Sequence, residues 1–468
     1  MNYHELQFKC GLEIHRQIET HKLFCHCPSQ LKEGSADALI TRRLHRSKGE
    51  TQEIDTAVDY ESKQNKTFVY HSYNECCCLV EQDEDPPQEV NQEALRVVLQ
   101  VASLLQCKPV DELQVMRKMI IDGSNTSGFQ RTMLVAYDGK LETSKGIVNI
   151  NSICLEEDSA RKIKEDNQQV HYNLDRLGIP LIEIATDASI QNPEHAKEVA
   201  ETLGMILKST GKVRSGIGTI RQDVNISIKM GNRVELKGFQ ELRVMPKVIE
   251  EEVKRQLKQP AKKEVRQVNP DGSSTFLRPM SGQARMYPET DVKPIPITKF
   301  LLESLEIIEL ISEKVLALEK EYQLSSVLAK EVLKRKLDLK QYVRQFPQLE
   351  PTFIARVFIE IPKDVESRLK LDSTKLRVED FVEILTHLNQ EEINKSAVTE
   401  MIREKLQTGK INYGAYKTVN TQDLEKEIRE IMQKNKGATI NAIMGIVMQK
   451  YRGKIEGKEV IELIKKLQ

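Results

Sequence analysis

The sequence of 468 residues has no excess of charge of either sign and no long hydrophobic run. Its 70 Lys and Arg residues balance 70 Asp and Glu residues, so overall charge favours neither nucleic acid nor membrane. No apolar run reaches the length of a transmembrane helix, and residues 1–7 lack the hydrophobic region of a signal peptide. These absences predict a soluble cytoplasmic protein.

The cysteines lack the Cys-x-x-Cys spacing that is usual in zinc sites. Cys25 and Cys27 could still offer two thiolates to zinc, and Cys76 and Cys78 could offer two more. Adjacent cysteines are also common as ordinary buried residues, and this is the favoured interpretation. Disulfides are not expected, because a large chain without a secretion signal is typical of a reducing compartment.

Alternating apolar and polar residues predict strands in the first part of the chain. In residues 8–15, Glu13 and His15 share the polar face, with side chains roughly 7 Å apart, which is close enough to share a site. Glu183 lies within the apolar strand pattern 180–186. An ionised carboxylate in such surroundings needs a partner, for which a cation is a natural choice.

A strand pattern over 146–154 runs into three consecutive carboxylates, Glu156, Glu157 and Asp158. Adjacent acids repel one another, so they persist in a folded site only if they are solvated, paired or neutralised by a cation. Taken alone, the triplet favours a solvated strand end. A helix is expected to begin at Arg161, with Asp158 as its cap.

Two further stretches carry polar groups that could contact a ligand. The loop 122–131 is rich in hydroxyl groups and ends in a cation, Arg131, so it could bind an anion. It lacks the Gly-Lys-Ser/Thr ending of a Walker A loop. An ordinary long turn is an equal alternative. Its candidate residues are Ser124, Asn125, Thr126, Ser127 and Arg131. A predicted hairpin carries mixed charge on one face at Arg221, Asp223, Glu235 and Lys237; a solvated hairpin would have the same pattern.

Helical spacing of Leu, Ile, Glu and Lys dominates beyond residue 296, with interruptions expected at Pro347, Pro351 and Pro362. The fold class is therefore predicted as α+β: a largely antiparallel-sheet domain at 1–296, a helical domain at 297–372 and an all-α tail at 373–468.

Residues 437–468 contain six basic and three acidic residues, which favours a modest contact with an anion such as phosphate. The candidate contacts are Lys450, Arg452 and Lys454; basic residues near a helix C-terminus are also ordinary complements of the helix dipole.

Several of these motifs occur in the order that is typical of one family. They are residues 11–15, 22–25, 155–158, 178–184, 221–225 and 285–289. In this set the chain resembles the GatB/GatE family, the kinase and transamidase subunits of tRNA-dependent amidotransferases. Residues 116–131 look like the archaeal E-type chain, whose usual inserted domain, similar to part of an aspartyl-tRNA synthetase, is replaced here by residues 258–263. The chain is thus either a compact E-type chain or one from which that domain has been removed.

The resemblance implies an enzyme, glutaminyl-tRNA synthase (glutamine-hydrolysing), that converts Glu-tRNA(Gln) to Gln-tRNA(Gln). ATP would phosphorylate the glutamate side chain, and ammonia from a partner glutaminase would displace the phosphate. His15, Glu157 and Glu183 would hold Mg²⁺, with Glu13 and Glu156 near a second cation position. The hairpin residues would form an opposing wall around phosphate and ammonia. The sheet domain would be a catalytic cradle, and the YqeY-like tail would contact tRNA.

The resemblance also implies partners. An asparaginase-like glutaminase would pair with an E-type chain, as a heterodimer or a dimer of heterodimers, because no amidase triad is recognisable in this sequence. One alternative is a B-type chain, which pairs with a serine amidase and a small C-type chain. The other is a tRNA-binding scaffold without catalytic activity, against which the retained acidic and basic site residues argue.

Overall fold

The computed structural model describes residues 1–46, 53–166, 168–239, 241–280, 286–418, 421–435, 438–451, 454–455 and 457–467. Contacts divide the chain into two compact units, Met1–Leu310 and Ile311–Gln468. The predicted α+β class is confirmed: antiparallel strands dominate the first unit, and helices make up the second.

The strands of the first unit alternate with a few helices. The strands are β1 (Lys9–Gln17), β2 (Ala38–Arg42), β3 (Thr67–Ser72), β4 (Lys108–Pro109), β5 (Glu112–Leu113), β6 (Met116–Met119), β7 (Phe129–Thr143), β8 (Gly146–Glu157), β9 (Arg161–Glu165), β10 (Gln169–Asn173), β11 (Pro180–Thr186), β12 (Ile220–Ser227), β13 (Val234–Lys237), β14 (Glu264–Val268), β15 (Ser274–Pro279), β16 (Met286–Pro288) and β17 (Ile295–Pro296). The helices are α1 (Thr56–Ser62), α2 (Gln92–Leu104), α3 (Pro193–Ser209), α4 (Met245–Lys258) and α5 (Lys299–Glu303), with a 3₁₀ turn at Leu242–Val244.

The main sheet has the strand order β15-β14-β13-β12-β1-β11-β8-β7-β6-β16, with β4 paired to β7. Neighbours in this sheet are antiparallel except β13 and β14. A smaller sheet, β2-β3-β10-β9, includes one parallel pair, β3 and β10. β17 pairs with β5 alone. Strand β1 therefore lies near the middle of the main sheet, between β12 and β11.

The two faces of the main sheet differ in polarity. Leu12 and Ile14 of β1 are buried in one hydrophobic core together with residues of α2, α3 and α4. Because successive side chains of a strand point to opposite faces, Glu13 and His15 lie on the other face. The helices thus cover the apolar face, and the polar face of the central strands is left to carry a site.

The second unit is helical throughout the part that the structure describes. Its helices are α6 (Ile311–Tyr322), α7 (Ser326–Lys334), α8 (Leu339–Gln345), α9 (Pro351–Leu369), α10 (Val378–Asn389), α11 (Ala397–Thr408), α12 (Thr421–Lys434), α13 (Ile440–Tyr451) and α14 (Gly457–Leu467), with 3₁₀ turns at Ser373–Lys375 and Tyr413–Tyr416. One buried cluster extends from Val315 to Ile402, and a second from Leu424 to Ile464. In the first cluster the rings of Phe358 and Phe381 lie 5.1 Å apart, so side-chain packing is continuous across residue 372. The domain boundary predicted at residue 372 stays a prediction.

Two local predictions are wrong. The segment at Arg161 is strand β9, paired with β10, and not a helix, because cross-strand pairing decides its conformation. Pro362 does not interrupt the chain but lies inside α9, where buried neighbours such as Ile359 and Val365 stabilise the helix despite the lost hydrogen bond. The breaks at Pro347 and Pro351 are confirmed, since α8 ends before them and α9 begins at Pro351.

In the described part of the chain, no helix combines the length and the hydrophobicity that crossing a membrane requires.

Candidate active site on the central sheet

Strand register brings distant polar residues together on the face away from the helices. His15 of β1 lies opposite Glu183 of β11 on one side and Arg221 of β12 on the other. Glu13 lies opposite Asp223. Side chains of directly opposed residues are neighbours on one face of a sheet. Residues from distant parts of the sequence therefore form a continuous charged surface.

The centre of this surface is a group of three side chains, here called the acid–imidazole centre: His15, Glu156 and Glu183. The imidazole Nε2 of His15 lies 3.1 Å from Glu183 Oε2 and 3.9 Å from Glu156 Oε2. One ligand atom from each residue lies within 4.8 Å of the others, a spacing that could hold a metal ion. Glu13 is adjacent, with its Oε1 atom 3.5 Å from His15 Nε2.

Lys118 of β6 supplies positive charge to this centre. Its Nζ atom lies 2.8 Å from Glu156 Oε1 and 3.8 Å from Glu183 Oε2. Sequence reasoning missed this lysine, although its place in a strand next to the loop 122–131 was visible in the sequence. This ammonium group already offsets part of the negative charge of the carboxylates. It would do so together with any bound cation, and it could also contact a bound phosphate.

Burial and neighbouring charges shift the pKa values of Glu13, His15 and Glu183. Burial, reinforced by the charge of Glu183, raises the pKa of Glu13 to about 7. Burial alone would lower the pKa of His15, but the hydrogen bond and charge of Glu183 outweigh it and raise the value. Burial would raise the pKa of Glu183, but Lys118 and His15 lower it well below its usual range. Glu183 is therefore ionised, and its charge favours the protonated form of His15 when no cation is bound.

Asp223, Glu235 and Lys237 form the adjoining wall on β12 and β13. Lys237 Nζ lies 2.6 Å from Asp223 Oδ2 and 2.6 Å from Glu235 Oε1. Burial opposes the charge of this lysine, but the two carboxylates raise its pKa. Asp223 also lies within ligand distance of Glu13 and His15, which gives a second possible cation position beside the first.

Asp158 does not cap a helix. Its buried carboxylate accepts hydrogen bonds from Gln17 Nε2 at 2.6 Å and from Arg221 Nη1 at 2.8 Å. Burial would raise the pKa of Asp158, but Arg221 and Arg176 lower it. Asp158 thus positions Arg221, the side chain opposite His15.

Glu157 does not lie with His15 and Glu183, contrary to the expected ligand set. Adjacent residues of a strand point to opposite faces, and here it is Glu156 that joins the acid–imidazole centre. Glu157 instead pairs with Arg131, whose Nη1 atom lies 3.3 Å from Glu157 Oε1 and whose Nε atom lies 2.8 Å from Glu289 Oε2. Glu289 ends the motif 285–289, but no role in the site was predicted for it from the sequence.

The candidate loop is folded largely onto itself and its neighbours. Thr126 Oγ1 donates a hydrogen bond to the Glu81 carbonyl at 2.8 Å, and Ser127 Oγ donates one to the Phe129 carbonyl at 2.9 Å. The Ser124 carbonyl accepts from the Ala160 amide, also at 2.8 Å. The buried Asn125 Oδ1 atom has no hydrogen-bond partner. It lines a cavity of ≈ 10 Å³ beside Arg131 and Glu157, space for about one water molecule.

The donor set of the acid–imidazole centre fits a divalent cation. Its carboxylate oxygens suit a hard ion such as Mg²⁺, while the imidazole is a less usual ligand for magnesium. His15 Nδ1 is buried without a hydrogen-bond partner, so the ring is not fixed by a bond on that side. The loop fits a nucleotide less well, because the Arg131 guanidinium is already held between Glu157 and Glu289.

The expected nucleic-acid contacts lie in the second unit. Lys450, near the end of α13, forms an ion pair with Glu427 of α12. Arg452 lies outside the described residues. Lys454 follows α13 and donates its backbone amide to the Tyr451 carbonyl at 2.9 Å.

The fold and its charged face together define a class: an α+β protein with a buried histidine–carboxylate centre on the central strands of an antiparallel sheet. A family model described as GatB/GatE catalytic domain matches residues 8–303, and one described as GatB domain matches residues 338–467. The chain belongs to the GatB/GatE family.

Individual relatives match over the whole chain. The E-type chain of the glutamyl-tRNA(Gln) amidotransferase of Methanocaldococcus jannaschii is 34% identical, covering 100% of this chain and 99% of that protein. The protein of the same name from Archaeoglobus fulgidus is also 34% identical, covering 100% and 98%. The first alignment spans 624 positions, more than the 468 residues here, so that relative carries sequence that this chain lacks. Where the inserted domain was expected, residues 259–263 simply connect α4 to β14.

Proposed function

We propose that this chain is the E-type component of a Glu-tRNA(Gln) amidotransferase, which converts the side-chain carboxylate of a misacylated glutamate to an amide. The observation that carries this proposal is the acid–imidazole centre, placed within the segment that matches the catalytic domain of the family. The similarity to E-type chains over the full length supports the choice of substrate. The protein would act in the cytoplasm.

The proposed reaction has two steps. ATP donates its γ-phosphoryl group to an oxygen of the glutamate side chain, giving an acyl phosphate and ADP. Ammonia then forms the new C–N bond, phosphate leaves, and the nitrogen loses a proton. The ammonia would come from glutamine through a partner protein.

His15, Glu156 and Glu183 would hold Mg²⁺, and Glu13 and Asp223 would border a second cation position. Mg²⁺, when bound, offsets negative charge on the phosphate oxygens during phosphoryl transfer. Glu157, included in the ligand set expected from sequence, would instead hold Arg131 beside the candidate loop.

The chain also supplies its own positive charge. Lys118 lies on one side of the acid–imidazole centre, and the side chain of Arg221, opposite His15, is 37% exposed on the other. Lys237, held between Asp223 and Glu235, could reach a phosphate oxygen or position the incoming ammonia. Such preorganised charges stabilise a transition state because they need little reorganisation during the reaction.

The loop residues Ser124, Asn125, Thr126 and Ser127, with Arg131, remain the proposed nucleotide contacts. Support comes from the buried, unpartnered Asn125 Oδ1 atom and from the guanidinium beside it. Nucleotide binding there would require Arg131 to exchange a carboxylate partner for phosphate, an exchange that a guanidinium can make because both anions offer paired oxygens.

The identity of the partner distinguishes an E-type from a B-type chain. We expect an asparaginase-like glutaminase to co-purify with the tagged chain from its native cells, in a heterodimer or a dimer of heterodimers. Mass spectrometry of the eluate would identify it. A serine amidase together with a small C-type chain would show instead that the chain is B-type, and a mock purification from untagged cells is the control.

The tail is proposed to contact the phosphate backbone of tRNA. Lys454→Glu should weaken tRNA binding and reduce the salt dependence by about one counterion, because a phosphate contact releases roughly one ion. Binding would be measured by filter retention at several salt concentrations. Lys395→Glu, which changes the same charge at a residue paired with Glu350, is the matched control. Equal affinity and equal salt slope for Lys454→Glu and the wild type would refute a tail contact at this residue.

A further inference from the structure

Three cysteines and one glutamate gather at a place that the proposed reaction does not use. We propose that Cys25, Cys27, Cys78 and Glu81 form a site for a structural Zn²⁺ ion. One ligand atom from each of the four residues lies within 4.8 Å of all the others. Zinc–sulfur bonds of about 2.3 Å in a tetrahedron place neighbouring sulfurs about 3.8 Å apart. The four side chains thus need only small movements to reach a tetrahedral geometry.

Two short turns build this cluster. The Lys22 amide donates to the Cys27 carbonyl at 3.0 Å and closes the turn that carries Cys25 and Cys27. In the other turn, the Cys78 amide donates to Glu81 Oε2 at 2.8 Å. Between the turns, the Cys25 thiol donates to Glu81 Oε1 at 2.9 Å. Without a metal, the proton of the Cys25 thiol therefore lies between two of the side chains that a metal ion would join.

A buried lysine beside the cluster offsets part of the negative charge that four anionic zinc ligands would carry. Three thiolates and a carboxylate leave two negative charges after Zn²⁺ is bound, which is costly in a buried site. The side chain of Lys22 is fully buried, with its Nζ atom 3.7 Å from Glu81 Oε1. Its positive charge offsets one of the two. The ammonium also donates to the Leu174 carbonyl at 3.2 Å, so its position is fixed.

The remaining cysteines nearby belong to a different environment. Cys76, one of the four cysteines considered from sequence, lies with its sulfur 3.9 Å from that of Cys77. Both are buried in a separate hydrophobic cluster with Tyr70 and Leu174. The structure therefore divides the cysteine run: Cys78 turns to the metal cluster, and Cys76 and Cys77 are core residues.

Four protein ligands would close the coordination sphere, which is the mark of a structural and not a catalytic zinc ion. The ion would join the segments 22–27 and 78–81. The second segment is fastened to the loop 122–131 through the Glu81 carbonyl and Thr126. Zinc is thus placed to stabilise the base of the loop, whatever ligand that loop binds.

The test measures metal in the purified full-length chain, with neither tRNA nor ATP present. Elemental mass spectrometry should find equimolar zinc in the wild type and very little in Cys27→Ser and Cys78→Ser. Cys76→Ser, two residues from Cys78 but outside the cluster, is the matched control and should keep its zinc. Zinc-free wild-type protein, a Cys25–Cys78 disulfide in its place, or full zinc content in both cluster variants would overturn the proposal.

Cobalt gives a readout that does not depend on the folding of the variants. Replacing zinc by Co²⁺ in the wild-type chain should produce the intense visible bands of tetrahedral cobalt and a thiolate-to-cobalt charge-transfer band. The weak absorption of octahedral cobalt alone would overturn the proposal. Neither measurement depends on amidotransferase activity, so failure here would leave the proposed function untouched.

Discussion

Glu183→Gln is expected to lower kcat/KM for Gln-tRNA formation by about 10²–10³-fold, the loss seen when one preorganised electrostatic contact is removed from an active site. Glu183 is the ionised carboxylate that holds His15 at 3.1 Å and lies 3.8 Å from Lys118. Glutamine keeps the shape of the side chain but removes its charge, so the centre would lose much of its attraction for a divalent cation. The assay is amide formation on Glu-tRNA(Gln) with saturating ATP and Mg²⁺.

Glu156→Gln should have an effect of similar size, because Glu156 is the other carboxylate of the centre and accepts from Lys118 at 2.8 Å. Glu142→Gln, an exposed residue of the same sheet that is not part of the centre, is the control and should retain activity. Thermal unfolding of each variant separates lost chemistry from lost fold. Near wild-type kcat/KM in both Glu156→Gln and Glu183→Gln would refute the assignment of the centre.

The two neighbouring glutamates show how far sequence reasoning reaches. Alternation along β8 implies that Glu156 and Glu157 face opposite sides, but it does not say which side carries His15, since residues 155–157 at the end of this strand are all buried. The choice depends on the register of β8 against β11, where Leu181 opposes Glu156 and Pro180 opposes Glu157. That pairing joins distant segments, and no local pattern encodes it.

Charged partners that are distant in sequence were missed for the same reason. Lys118 contacts a glutamate 38 residues away, and Arg131 contacts one 158 residues away. Each of these side chains alone resembles an ordinary surface charge. Only the strand order, which places β6 beyond β7 and β8 at one end of the sheet, brings these side chains to their partners.

Helices and strands in which apolar side chains recur with a clear period were predictable from the sequence. The buried side chains Leu95, Val98, Leu99 and Ala102 of α2 follow helical spacing, and α3 begins at Pro193, a residue that is common at the first position of a helix. The hairpin of β12 and β13 also forms as expected, with Asn225 opposite Glu235. By contrast, the short polar segment at β9 has no such period, and its pairing with β10 outweighed its local sequence.

We expect the second large effect when the source of nitrogen is changed from ammonium to glutamine. The chain alone should form Gln-tRNA(Gln) from Glu-tRNA(Gln), ATP, Mg²⁺ and ammonium, but not from glutamine. The reason is chemical: the centre carries charges suited to activating a carboxylate, whereas releasing ammonia from glutamine needs an activated nucleophile, and the sequence has no recognisable amidase triad. Adding the partner glutaminase should restore the use of glutamine.

Gln-tRNA formation from ammonium by the purified chain is therefore the most direct measurement of the proposed function. The aminoacyl group would be released from the tRNA and separated into glutamate and glutamine by chromatography. The expected result is glutamine from the wild type with ammonium, little from Glu183→Gln, and none from the wild type with glutamine alone. Efficient use of glutamine by the chain alone, or no amide from ammonium in the wild type, would contradict the assignment.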